Sequence, residues 1–152
     1  MGVYTKGKWL LGSALVTTGS TFKLMLVTTQ YTFSSDHNTV DDGTTSDPLS
    51  YEISVAGYAR QSLGSITLTE DDTNSMACFD AADTTFGNLT AGQTIGGCCI
   101  YPYSSSGTTS DTGQYLLSNY TFATAVPCNG AAFTVQYAAT SDGGFLKLGT
   151  TS

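Results

Sequence analysis

The stretch Phe22-Lys23-Leu24-Met25-Leu26-Val27 decides how this chain folds. It is a short apolar run rich in branched and aromatic side chains, and it follows the turn-forming group Thr17-Thr18-Gly19-Ser20. Such a run reads as a β-strand. Alternate residues of a strand share a face, so Phe22, Leu24 and Leu26 line one side. Tyr31 and Phe33 extend the alternation.

The same signature recurs along the rest of the chain. Residues 4–14 read as a short helix or helical turn, with Trp9, Leu10 and Leu11 docking it on a sheet. Residues 34–50 are polar, hold Asp36, His37, Asp41, Asp42, Asp47 and Pro48, and read as a long exposed loop. Tyr51, Ile53 and Val55 alternate, and Gly57 marks a bulge or bend before Tyr58-Ala59-Arg60. Ile66 and Leu68 belong to a further strand, Glu70 to Ser75 form a turn, and Met76 to Phe79 start the next strand. Asp80 to Phe86 read as a short irregular segment. Ile95 to Tyr103 read as a buried strand in which Gly96-Gly97 permits close backbone approach. Ser104 to Gly113 form a tip of Ser, Thr and Gly, and Tyr115 to Ala123 a strand with Leu116 and Leu117 on opposite sides. A turn at Pro127 to Gly130 leads to the last strands, Ala132 to Tyr137 and Phe145 to Leu148, parted by Ser141-Asp142-Gly143-Gly144. About eight short strands separated by turn chemistry predict an all-β chain. The expected form is a single-domain antiparallel β-sandwich or jelly-roll-like body at 17–152, preceded by a short helical or extended arm at 1–16.

Composition bounds the function. The chain has 152 residues, of which 43 are Ser or Thr and 17 are Gly, while charged residues make up 11%. A soluble domain usually carries about a quarter charged residues, so hydroxyls here take over the solvated face. No Lys or Arg occurs between Arg60 and Lys147, and the net charge is −7. Such a surface repels phosphate backbones, which argues against nucleic-acid binding. No apolar run approaches the roughly 18 residues of a membrane-spanning helix, so no membrane partner is expected.

Chemistry-bearing residues are few. Cys98 and Cys99 are neighbours in a strand-like run and so point to opposite faces. Together with Cys78 and Cys128 they read as buried thiols, though a Cys78–Cys98 or Cys99–Cys128 bridge is also open. His37 is the single histidine and reads as an exposed loop residue with no rigid orienting partner. The acidic groups at 41–47 and 70–72 lack EF-hand spacing, and turn formation accounts for both. Glu52 reads as a residue of the solvent face. The sequence therefore assigns no catalytic, cofactor or metal residue and points away from an enzyme. Tyr101 and Tyr103, beside the 104–113 tip, are the interface candidates, since Tyr is enriched at interfaces.

Several segments in this order resemble small virion proteins of tailed bacteriophages. They are Lys6-Gly7 with Leu10-Leu11; Phe22 to Val27 with Tyr31-Thr32-Phe33; and Val55-Ala56-Gly57-Tyr58-Ala59-Arg60 leading to Leu63. Next come Phe79-Asp80-Ala81-Ala82-Asp83-Thr84-Thr85-Phe86 before a strand ending Ile100-Tyr101. Asn129-Gly130, Phe133 to Tyr137 and Gly144 to Leu148 complete the set. Cys98-Cys99 departs from the plain aliphatic strand of that family. The resemblance implies a capsid decoration, or cement, protein on the outer capsid surface. Its partners would be the major capsid protein and other copies of itself, with a trimer as the expected assembly. Lys6, Lys8 and Trp9 would then form a docking arm onto an acidic shell, although Trp9 beside Leu10-Leu11 equally suits the core. The competing expectation is a receptor- or glycan-binding module of a head fibre or tail-associated structure, with Tyr101, Tyr103, Tyr115 and Tyr120 as its platform.

Overall fold

The computed structural model describes residues 2–3, 21–71, 76–103, 110–138 and 145–148. Along them run β1 (Gly2–Val3), β2 (Thr21–Thr28), β3 (Gln61–Ser62), β4 (Gly64–Asp71), β5 (Met76–Ala82), β6 (Thr84–Asn88), β7 (Thr94–Tyr103), β8 (Ser118–Pro127), β9 (Ala132–Val135) and β10 (Leu146–Leu148). All strand pairs are antiparallel. The fold is all-β, as the strand periodicity predicts. The central sheet has the order β1-β8-β7-β2-β3, and two smaller sheets have the orders β10-β5-β4 and β6-β9.

The opening stretch explains the core. Phe22, Leu24 and Leu26 of β2 enter one hydrophobic cluster together with Cys98, Ile100, Phe79, Phe86, Phe145 and Leu146, residues drawn from all three sheets or their edges. Met25 and Val27 enter a second cluster on the opposite face with Tyr31, Val40, Cys99, Tyr101 and Leu116. A strand covered on both faces reads as a near-continuous apolar run, which is why 22–27 lacks a clean polar alternation. Cys98 and Cys99 divide between the two clusters, and so do Leu117 and Leu116. The period of two predicted both divisions.

The second cluster exists because residues 34–50 pack inward, which corrects the expectation of an exposed loop. Thr39, Val40 and Asp47 are buried. The Val40 and Leu116 amides donate to the carbonyls of Gln114 and Asn38 at 2.9 Å, so the loop pairs with 111–116. Its aspartates turn the backbone locally: Asp41, Asp42 and Asp47 accept from the amides of Gly43, Thr44 and Ser50 at 3.0, 3.1 and 2.8 Å. With these amides satisfied inside the loop, it can lie over apolar side chains.

Three other expectations change. Asp80 to Phe86 is strand rather than irregular chain, split between β5 and β6, with Thr84 and Phe86 both buried. The Tyr51–Val55 alternation is not a strand. Residues 49–51 form a 3-10 turn, and Glu52 makes a single bridge to Val27. The Tyr115–Ala123 strand begins at Ser118 and runs on to Pro127. Gly57 does mark a bend: its φ is +87°, and a Cβ there would collide with the Asn88 carbonyl oxygen. Of the proposed arm, Gly2 and Val3 pair with Asn119 and Ser118 at the sheet edge, and the expected helix at 4–14 lies outside the described residues.

Candidate functional site

The most concentrated polar chemistry is a clamp around Arg60, the single arginine of the chain. Its Nε and Nη2 donate to Glu52 Oε1 and Oε2 at 2.7 and 2.6 Å. Nη1 and Nη2 donate to Asp111 Oδ1 and Oδ2 at 2.6 and 3.1 Å. The remaining Nη1 hydrogen goes to Tyr101 Oη at 3.1 Å. A guanidinium has five N–H donors, and all five are used. Tyr58 Oη donates to Glu52 Oε1 at 2.7 Å and accepts from the Leu26 amide at 3.1 Å.

The clamp has a structural purpose that the register makes plain. β3 pairs with β2 only at Lys23 and Leu24. Beyond that point the Leu26 carbonyl accepts from the Ile53 amide at 3.0 Å, and the Leu26 amide is taken by Tyr58. The 52–60 segment therefore closes the strand edge that β3 leaves open, and Arg60 ties that segment to 111–113. An unpaired edge is a template for unwanted strand addition, and sealing it removes that template. Glu52 is thus no solvent-face residue, since its side chain is 15% exposed and fully engaged.

The other candidates separate. Tyr101 is 1% exposed, its hydroxyl under Arg60, so it is removed from any surface platform. Tyr103 is half-buried, with Lys23 Nζ 4.3 Å from its ring centroid. Tyr115 is exposed and Tyr120 half-buried, in different surroundings. The four tyrosines do not form one platform. Lys6, Lys8 and Trp9 lie outside the described residues. His37 is 7% exposed rather than solvated, and its Nδ1 lies 3.2 Å from Tyr31 Oη. Cys98, Cys99 and Cys128 are buried thiols. Burial pushes the Cys98 thiol well up, which suppresses the reactive thiolate. Among the described residues, no three His, Cys, Asp or Glu side chains are grouped to hold a metal ion.

Sequence reading missed the clamp and one further feature. A groove of about 390 Å³ runs between Tyr120–Thr124 of β8 and Val135–Ala138. Tyr120 Oη, of a residue that lines it, is buried with no hydrogen-bond partner among the described residues.

Burial also holds several phenols in their neutral form. It raises Tyr58, Tyr101 and Tyr120 above the ordinary tyrosine range, with the Glu52 charge adding to the effect on Tyr58, and it pushes Tyr137 up to about 12. In the unfolded chain these groups ionise near pH 10. Above that pH the folded state holds more protons than the unfolded one, so stability falls as pH rises. The urea midpoint should be insensitive to these phenols up to about pH 9 and fall steadily between about pH 10 and 12. A midpoint unchanged across that upper range would show that the rings titrate normally.

No family model, curated protein or solved structure matches this chain, so its function has to be read from its own residues.

Proposed function

We propose that the protein is a non-catalytic structural component of a bacteriophage particle, a capsid decoration protein that binds the outer capsid surface and stabilises the shell. The observation that carries this reading is the internal commitment of the groups that could do chemistry. Arg60, Glu52 and Asp111 saturate one another, His37 is buried against Tyr31, and the Cys98 thiol is sealed in the core. What faces outward is mainly hydroxyl, amide and small side chains. A protein displayed in many copies needs that kind of surface to stay soluble without edge-to-edge association. The virion resemblance of the short segments supplies the setting, and the negative net charge suits a protein that meets other proteins and no nucleic acid.

The partners in this reading are the major capsid protein and further copies of the chain, arranged as a trimer on a local symmetry axis. Lys6 and Lys8 hold two of the five basic residues and steer the N-terminal segment toward an acidic shell. Purified protein added to expanded, undecorated shells should co-sediment with them and raise their melting temperature. The double variant Lys6→Glu, Lys8→Glu leaves Gly2–Val3 in place and should weaken shell binding about tenfold or more, with a steep salt dependence in the parent protein. Wild-type protein that never binds shells but adheres to host-surface glycans would replace this reading with the receptor-binding one.

A further inference from the structure

We propose that the groove beside the bulged part of β8 is a binding site for a neutral saccharide. This goes beyond the shell-binding reading and does not depend on it. The groove starts from a fault in strand pairing. Ile95 pairs with Val126 and Gly97 with Thr121, so the four residues Phe122–Ala125 stand opposite Gly96 alone. Extra residues in one strand push it out of the ladder and re-aim its side chains, a device common next to binding sites. Here the displaced segment forms one wall of the groove, and Val135–Ala138 form the other.

The lining chemistry selects the ligand. Tyr120, Phe122 and Tyr137 bring aromatic rings, Thr121 and Thr124 bring hydroxyls, and Gln136 brings an amide. Among the described residues no charged side chain lines the groove, which favours a neutral ligand. A purely apolar ligand would leave these polar groups unpaired, which is unfavourable in a desolvated site. A pyranose offers what the lining lacks: an apolar C–H face for the rings and a rim of hydroxyls that both donate and accept. The volume of about 390 Å³ falls within the roughly 300–1,000 Å³ of small-molecule sites. Tyr120 supplies an independent sign, because its Oη is buried and has no hydrogen-bond partner among the described residues. Buried hydroxyls are normally satisfied, and this orphan belongs to a residue that lines the groove. Tyr137 Oη makes one bond, to Thr84 Oγ1 at 3.1 Å, and a phenol oxygen can make another. Both phenols stay protonated well above neutral pH, as donors to a neutral ligand must.

The test is a titration of the whole protein with cellobiose, maltotriose, lactose and di-N-acetylchitobiose, followed by amide NMR. At least one should give saturable shifts at Thr121, Thr124 and Ala138, with a dissociation constant near the millimolar range of a shallow site. Ala123 is exposed on the bulge, so Ala123→Arg should fill the groove, abolish the shifts and leave the thermal midpoint and any shell binding intact. Tyr120→Phe keeps the ring and should weaken binding several-fold, while Tyr103→Phe should change nothing. Absence of saturable shifts with all four sugars would overturn the proposal, as would shifts that persist unaltered in Ala123→Arg.

Discussion

Replacing Gly97 with Ala should unfold the protein at least 6–12 °C below the parent, a loss of about 3 kcal/mol. Intrinsic preference alone predicts the opposite sign, since Ala in a strand interior is favoured over Gly by roughly 0.5–1 kcal/mol. Sterics decide the outcome. A Cβ on Gly97 would collide with the Tyr120 carbonyl oxygen and lie 3.2 Å from its carbonyl carbon and 3.3 Å from Thr121 Cα. All three are backbone atoms of β8, which has no rotamer to turn aside. β7 is central, bonded to β2 on one side and β8 on the other, so it has no room to retreat. The strain would open the pairing that places Cys98, Ile100 and Leu117 in the core. Gly64→Ala is the control. It lies in a strand, and a Cβ there meets nothing within 4 Å, so this variant should match or slightly exceed the parent. If Gly97→Ala melts within about 2 °C of the parent, β7 and β8 are not as close as described.

Legibility in the sequence followed range. Features set by neighbouring residues could be read directly: the one-sided set Phe22, Leu24 and Leu26, the split of Cys98 from Cys99 and of Leu116 from Leu117, and the crowding at Gly96-Gly97. Each needs only the two-residue period of a strand or the small volume of glycine. β6 escaped notice because Thr84 and Thr85 look like turn chemistry, although Thr84 and Phe86 alternate inward with proper strand period. The 34–50 loop was misread for a related reason. Asp41, Asp42 and Asp47 look solvated in a one-dimensional reading, yet they spend their charge on nearby amides and let Val40 reach the core. The clamp was hidden by distance along the chain, because Arg60 and Asp111 are 51 residues apart. One signal was available: a lone arginine followed by a long cation-free stretch, in a chain with twelve carboxylates, has unusual freedom to choose its partners. The groove was illegible because it depends on a register slip that no residue pattern announces.

Arg60→Met should be the most damaging change at a polar position, lowering stability by about 2–3 kcal/mol, because breaking a partly buried ion-pair network leaves the other charges poorly hydrated and unpaired. Glu52 and Asp111 are 15% and 27% exposed and lie on either side of the guanidinium, so its removal leaves two carboxylates facing each other in a poorly hydrated space. Tyr101 Oη also loses its donor. Arg60→Lys should recover little of the loss, since an ammonium cannot reproduce five directed N–H bonds in a planar fork. The triple replacement Glu52→Leu, Arg60→Met, Asp111→Leu separates charge from architecture. With no charge left to strand, it should regain more than half of the loss seen in Arg60→Met alone. Urea unfolding of the four proteins at neutral pH gives the comparison. An Arg60→Met variant as stable as the parent would mean that the edge of β2 is held by the Ile53 and Tyr58 bonds to Leu26 alone. An Arg60→Lys variant of full stability would mean that charge rather than fork geometry holds 52–60 to 111–113. If the predicted order holds, the arginine is a structural pin: it fastens two loops over an open strand edge, and no donor is left over for a ligand.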